Sequence, residues 1–189
     1  IEMANPSPIV VERPAALMGV ANLGESLRIE PGTYQPEEAK PTYQWLRGEE
    51  PISGEVGQTY VLRAEDVGST VGCAMTLTQP GVEALVQRPA LSAAVTARPA
   101  LNVVSTARRR VVRVAVSVIA PPGVTASPTG QVAVTVGGRT RRAELKGGRA
   151  EVQFGRRRRM AFGRHAVRIA FGGSATFLAT DWSGSVRVE

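Results

Sequence analysis

The chain has 189 residues, and its 23 Lys and Arg against 16 Asp and Glu give a formal net charge of +7 at pH 7. This length suits one large domain or two small ones. No run approaches the ~20 apolar residues of a membrane-spanning helix, and no basic-then-apolar signal segment opens the sequence. Because the chain begins with Ile1 rather than Met, we expect a processed chain or a piece of a longer one.

The charge is divided unevenly along the chain. Residues 1–100 carry seven Lys and Arg against twelve Asp and Glu, a balance of −5, whereas residues 101–189 carry sixteen against four, a balance of +12. Cys73 is the single cysteine, which excludes an intrachain disulfide. Each domain must therefore be held together by core packing alone.

The first half is organised around the stretch from Tyr43 to Gly48. Side chains alternate in a strand, so Tyr43, Trp45 and Arg47 share one face. A buried Trp on a central strand is the packing hub of immunoglobulin-like sandwiches, and Trp45 is predicted to have this role, with Tyr43 and Tyr60 beside it. A second alternation, from Val71 to Leu77, turns Cys73 toward the core. Gly and Pro turns separate about seven predicted strands, the last running from Val82 to Val95.

Several motifs of this half occur in order with consistent spacing: Tyr43–Gly48, Ile52-Ser53-Gly54, Thr59-Tyr60 and Ala64–Gly68. Together they resemble the bacterial immunoglobulin-like repeats of surface and secreted proteins. The resemblance covers roughly residues 8–97 and implies a β-sandwich.

The second half repeats the strand rhythm with other motifs. Alternating valines run from Val112 to Val118 and from Val132 to Val136. The segments Thr129–Val134, Gly163–Val167 and Phe171–Phe177 resemble a second group of bacterial immunoglobulin-like repeats, over roughly residues 99–189. The two resemblances imply an all-β chain of two tandem immunoglobulin-like β-sandwiches, at residues 1–97 and 98–189, joined at Arg98-Pro99. Members of both groups act mostly as spacers, stalks, adhesive modules or decorations.

Residues that could perform chemistry are scarce. His165 is the only histidine, too few for a hydrolytic triad or a zinc site, and we expect it to pack at the rim of the core. Cys73 faces inward and behaves as a small apolar group. Asp66 is expected to brace the corner before Gly68. The sequence therefore predicts no enzymatic activity, no metal and no cofactor.

Runs of arginine in the second half are the candidate binding residues. They are Arg108, Arg109, Arg110, Arg139, Arg141, Arg142, Arg156, Arg157, Arg158 and Arg159. One interpretation is a solvated, aggregation-resistant edge. The other is a docking patch for polyanions, such as cell-wall phosphates or an acidic protein face. Nucleic acid is the less favoured target, because Phe154 and Phe162, the aromatic residues that flank the last run, are expected to point inward.

Three functions remain open from the sequence. The first is a structural or interaction module of an extracellular surface or phage-particle assembly, with protein subunits as partners. Those partners include copies of the chain itself, since the −5 half of one copy complements the +12 half of the next. The second is a binding module for an anionic cell-surface polymer. The third is an accessory domain pair of a larger secreted enzyme or phage tail or capsid protein.

Overall fold

The structure is a computed structural model that describes residues 7–156 and 158–189. The predicted fold class is confirmed. The described residues form β-strands and one short 3-10 turn at Ala64–Asp66, and they contain no α-helix. Backbone contacts divide the chain into two compact units, Ile1–Val95 and Thr96–Glu189, here called unit 1 and unit 2.

The strands of unit 1 are β1 (Val10–Arg13), β2 (Ala16–Met18), β3 (Ser26–Glu30), β4 (Thr33–Gln35), β5 (Lys40–Arg47), β6 (Glu50–Pro51), β7 (Thr59–Val61), β8 (Val71–Thr78) and β9 (Leu85–Gln87). A three-stranded sheet has the order β2-β3-β7, and a four-stranded sheet has the order β6-β5-β8-β9. A two-stranded ribbon, β1-β4, adds to these sheets. Neighbouring strands are antiparallel throughout.

The strands of unit 2 are β10 (Ala100–Arg108), β11 (Val111–Ile119), β12 (Gln131–Val136), β13 (Arg139–Glu144), β14 (Arg149–Phe154), β15 (Gly163–Phe171) and β16 (Thr180–Val188). The sheets are β10-β11-β14 and β13-β12-β15-β16. When the β1-β4 ribbon is left out, each unit has seven strands in the same arrangement. The sheet β2-β3-β7 corresponds to β10-β11-β14, and the sheet β6-β5-β8-β9 corresponds to β13-β12-β15-β16. The sequence did not predict β10, and it recognised only the end of β16.

The predicted last strand of unit 1 is wrong in its extent. Only Leu85–Gln87 forms a ladder with β8, because Pro89 has no N–H to continue it. The chain then returns through Ser92, whose N–H donates to the carbonyl of Val71 at 2.9 Å. It ends in an isolated bridge between Val95 and Val67.

Trp45 has the position that the sequence predicted. Its side chain is fully buried, and it lies opposite Cys73 in the β5–β8 register. The ring stacks on Tyr60 of the facing sheet with centroids 5.5 Å apart. The indole Nε1 donates to the carbonyl of Gly57 at 2.7 Å. Tyr43, two residues earlier, is half-buried and packs against the same core.

Asp66 is the one fully buried charged residue among those described. One carboxylate oxygen accepts from Arg47, with 2.8 Å to Nε and 2.7 Å to a terminal nitrogen. The other accepts from the Tyr60 hydroxyl at 2.8 Å and from the Arg63 backbone N–H at 2.7 Å. Asp66 thus braces the corner, as expected, but through a network of side chains that the sequence did not indicate.

We expect Trp45→Ala to lower the free energy of unfolding of unit 1 by about 3–5 kcal/mol, because it leaves a large cavity between the sheets. Urea denaturation followed by circular dichroism measures this. The exposed strand residue Val61 is the matched control, since Val61→Ala removes no core contact and should change stability by about 0.5 kcal/mol or less. Equal losses in the two variants would contradict the role of Trp45.

A second prediction concerns alkaline pH. Burial, together with the hydrogen bond to Asp66, raises the pKa of Tyr60 to about 12. The unfolded value is about 10, so the contribution of this hydroxyl is fully present below pH 10 and is lost as pH rises toward 12. Unit 1 should therefore lose stability over that range, and Tyr60→Phe should flatten the loss. Burial also raises the pKa values of Tyr43 and Cys73, so a shallower slope should remain in the variant. An unchanged slope would contradict the prediction.

Candidate functional site

Three arginine-bearing connections meet at one end of unit 2. Strand β10 begins after Pro99 and ends at Arg108, where a hairpin leads into β11. Arg139 directly follows the β12–β13 turn, and the loop from β14 to β15 spans residues 155–162. The antiparallel registers place all three at the same end, here called the basic end. Arg108–Arg110 lie close to the domain junction in sequence, but nine residues of strand place them roughly 26 Å along β10 from its start.

Hydrogen bonds join the three connections directly. The Arg110 Nε donates to the carbonyl of Met160 at 2.8 Å, and the Met160 N–H donates back to the Arg110 carbonyl at 3.1 Å. Arg159 donates to the carbonyl of Arg109, and Arg139 donates to that of Arg158 at 3.1 Å. Met160 itself is buried beneath them. The connections therefore form one braced surface instead of three independent loops.

The expected orientation of Phe162 is wrong. Its side chain is 68% exposed, and the Arg110 guanidinium lies over its ring, 4.7 Å from the centroid. Phe154 is buried, as expected, with the Arg141 guanidinium 5.6 Å from its centroid. Met160, two residues earlier in the same loop, is the side chain that enters the core, which leaves Phe162 outside.

The remaining arginine candidates do not all join this surface. Arg141 and Arg142 lie further along the edge strand β13, opposite Val134 and Ala133. Arg156, Arg158 and Arg159 are exposed, whereas Arg157 lies outside the described residues. Neither Arg141 nor Arg142 therefore belongs to the three connections, although the Arg141 guanidinium lies over Phe154, the residue that precedes the β14–β15 loop.

Charge at the basic end is not neutralised within the described part of the chain. Its arginines are Arg108, Arg109, Arg110, Arg139, Arg156, Arg158 and Arg159. None of them has an ion-pair partner there; the ion pairs of unit 2 are Arg113–Glu151 and Arg187–Glu189. The latter pair also lies near this end, since Val188 pairs with Gly163, but its two charges compensate each other.

The other candidates have structural surroundings. The Nε2 of His165 lies 2.9 Å from the carbonyl oxygen of Ala161, and its ring packs so closely on Gly137 that a Cβ there would lie 2.8 Å from Nδ1. Burial raises the pKa of the Cys73 thiol, which disfavours the reactive thiolate. Among the described residues, no group of three or more His, Cys, Asp or Glu could hold a metal ion. Nor do these residues include a helix with the length and apolar character to cross a membrane.

Comparison with known proteins shows the fold. No protein-family model matches the sequence, and no curated protein matches it. A segment of two fibronectin type III domains from chicken tenascin is similar in structure, with a TM-score of 0.54 and 13% sequence identity. The match covers 93% of this chain and 99% of the tenascin segment. The chicken interferon gamma receptor alpha chain gives a TM-score of 0.47 at 9% sequence identity. That match covers 95% of this chain and 99% of the receptor chain. The tenascin match supports two tandem immunoglobulin-like sandwiches.

Proposed function

We propose that this chain is a non-catalytic interaction module, which spaces or decorates an extracellular assembly of a bacterial surface or a phage particle. The observation that carries the proposal is the repetition of one strand order in two consecutive sandwiches. Such a chain provides repeated scaffolds whose loops remain available for partners. The tenascin segment, which has two sandwiches of this class in tandem, and the resemblance of both halves to bacterial surface repeats support the same function.

The basic end favours a second function, the binding of an anionic cell-surface polymer. A solvated edge needs exposed charge along one strand, and it does not require several connections to converge. Here three connections bring seven guanidinium groups to one surface, with no carboxylate partner among the described residues. Guanidinium groups bind phosphate and carboxylate oxygens through paired hydrogen bonds. A polymer with repeated negative charges would engage several of them at once.

Surface labelling tests the first function. Antibodies raised against unit 1 should label intact producing cells or particles without permeabilisation, and cross-linking on those samples should join the chain to subunits of the assembly. Labelling only after permeabilisation would contradict the proposal.

The second function predicts that Arg156→Ser with Arg158→Ser lowers affinity for a glycerol-phosphate polymer by at least tenfold, since each lost charged hydrogen bond removes roughly 1.5–3 kcal/mol. These side chains make no described contact within the protein, so the melting temperature should not change. The control is Arg149→Ser with Arg168→Ser, which removes two exposed charges elsewhere in unit 2. Equal losses in the two double variants would indicate attraction by net charge alone.

A further inference from the structure

The tip of the β10–β11 hairpin has an unusual backbone. Arg108 pairs with Val111, so the loop consists of Arg109 and Arg110 alone. Both have positive φ, 47° and 63°, which is the signature of a type I′ turn. That turn strongly prefers Asn-Gly, because a Cβ in the left-handed region clashes with the following carbonyl.

Elsewhere among the described residues, positive φ angles occur only at glycine. Sixteen glycines among the described residues have positive φ, and the two arginines are the only other residues there that do. The neighbouring β12–β13 turn uses Gly137-Gly138, with φ of 54° and 79°, for the same geometry. The hairpin tip is therefore strained in a way that an Asn-Gly pair would not be. The two arginines place two guanidinium groups at the tip, which Asn-Gly would not provide.

These two side chains are positioned differently. The Arg110 guanidinium is fixed on the Phe162 ring and through Nε on the Met160 carbonyl. The Arg109 side chain is exposed and has no described side-chain partner, while its carbonyl is held by Arg159. The arrangement places one exposed cation without a described side-chain partner at the tip, beside one that is already oriented. Backbone strain of this kind concentrates at functional sites, where it is part of pre-organisation.

Resting on the second function above, we propose that Arg109 is the primary ligand contact of the basic end, and that its ligand is a phosphodiester polymer of the cell envelope, bound through its phosphates. An acidic protein face would require an apolar centre to the interface. The large apolar side chain exposed at this end is Phe162, and Arg110 already covers one side of it. A single partly covered ring is also a poor stacking platform for successive nucleic-acid bases.

Two substitutions at Arg109 separate the strain from the charge. Arg109→Gly removes both, so it should raise the melting temperature of unit 2 in the full chain by about 4 °C and lower affinity for a glycerol-phosphate oligomer roughly tenfold. Arg109→Ala keeps a Cβ at positive φ, so it should lose the same affinity without the gain in melting temperature. The slope of log affinity against log salt should become shallower by about one in each variant. Calorimetry and titration at several salt concentrations measure these quantities.

The outcomes are distinct for each step of the inference. If Arg109→Gly does not raise the melting temperature above that of Arg109→Ala, the turn is not strained at Arg109. If Arg156→Ser with Arg158→Ser lowers binding and Arg109→Ala does not, the polymer function stands and the role of Arg109 fails. If the unmodified chain does not bind the oligomer, both fail, and the spacer function is unaffected.

Two further probes of matched charge test the ligand class. Single-stranded oligothymidylate and polyglutamate should both bind more weakly than the glycerol-phosphate oligomer. Tighter binding of the oligothymidylate would overturn the envelope polymer in favour of nucleic acid. Equal binding of polyglutamate would overturn phosphate recognition in favour of an acidic protein partner.

Discussion

Trp45 and Tyr60 stack across the two sheets of unit 1, and the rest of that unit is arranged around their contact. The Tyr60 hydroxyl donates a hydrogen bond to Asp66, and Asp66 forms an ion pair with Arg47, which lies two residues after Trp45 on the same strand. The ring of contacts therefore joins the facing sheets twice, once through apolar packing and once through a buried charge. A chain with a single cysteine has no covalent means of making this connection, so its stability depends on completing both parts.

Unit 2 has the same strand order but is stabilised by different contacts. Its core is built mainly from valines on alternating positions, with Phe154, Phe171 and Phe177 as its largest side chains. No buried charged side chain occurs among its described residues. Polar and ionic contacts are concentrated instead at the basic end, where they join loops to one another. In unit 1 the buried carboxylate of Asp66 joins strands within the interior. In unit 2 the arginines join loops at the basic end, on the surface.

Local patterns predicted the strands that alternate clearly, because alternation of side chains follows directly from the pleat of a strand, but they missed β10 and most of β16. They placed Trp45 and Cys73 in the core and matched the bounds of β15 closely. The Arg47–Asp66 pair could have been anticipated, since an arginine on the same face as a buried Trp requires a partner. The side chain that enters the core beneath the basic end could not be predicted, because Met160 and Phe162 are both apolar and lie in one irregular loop, where no alternation distinguishes them. The meeting of three arginine runs also depended on strand registers that no single segment encodes.

The arginines of the basic end fall into two groups with different consequences. Arg110, Arg139 and Arg159 donate to backbone carbonyls of neighbouring connections, and a guanidinium group has five N–H donors in a rigid fork, so each retains donors that point elsewhere. Lysine has no such planar fork, so it would not provide the same combination of bracing and outward charge. Arg108, Arg109, Arg156 and Arg158 have no described side-chain partner, and their charge is available to a ligand in full. The first group thus sets the shape of the surface, whereas the second leaves it with charge that no described carboxylate neutralises, so shape and charge can be changed separately by substitution.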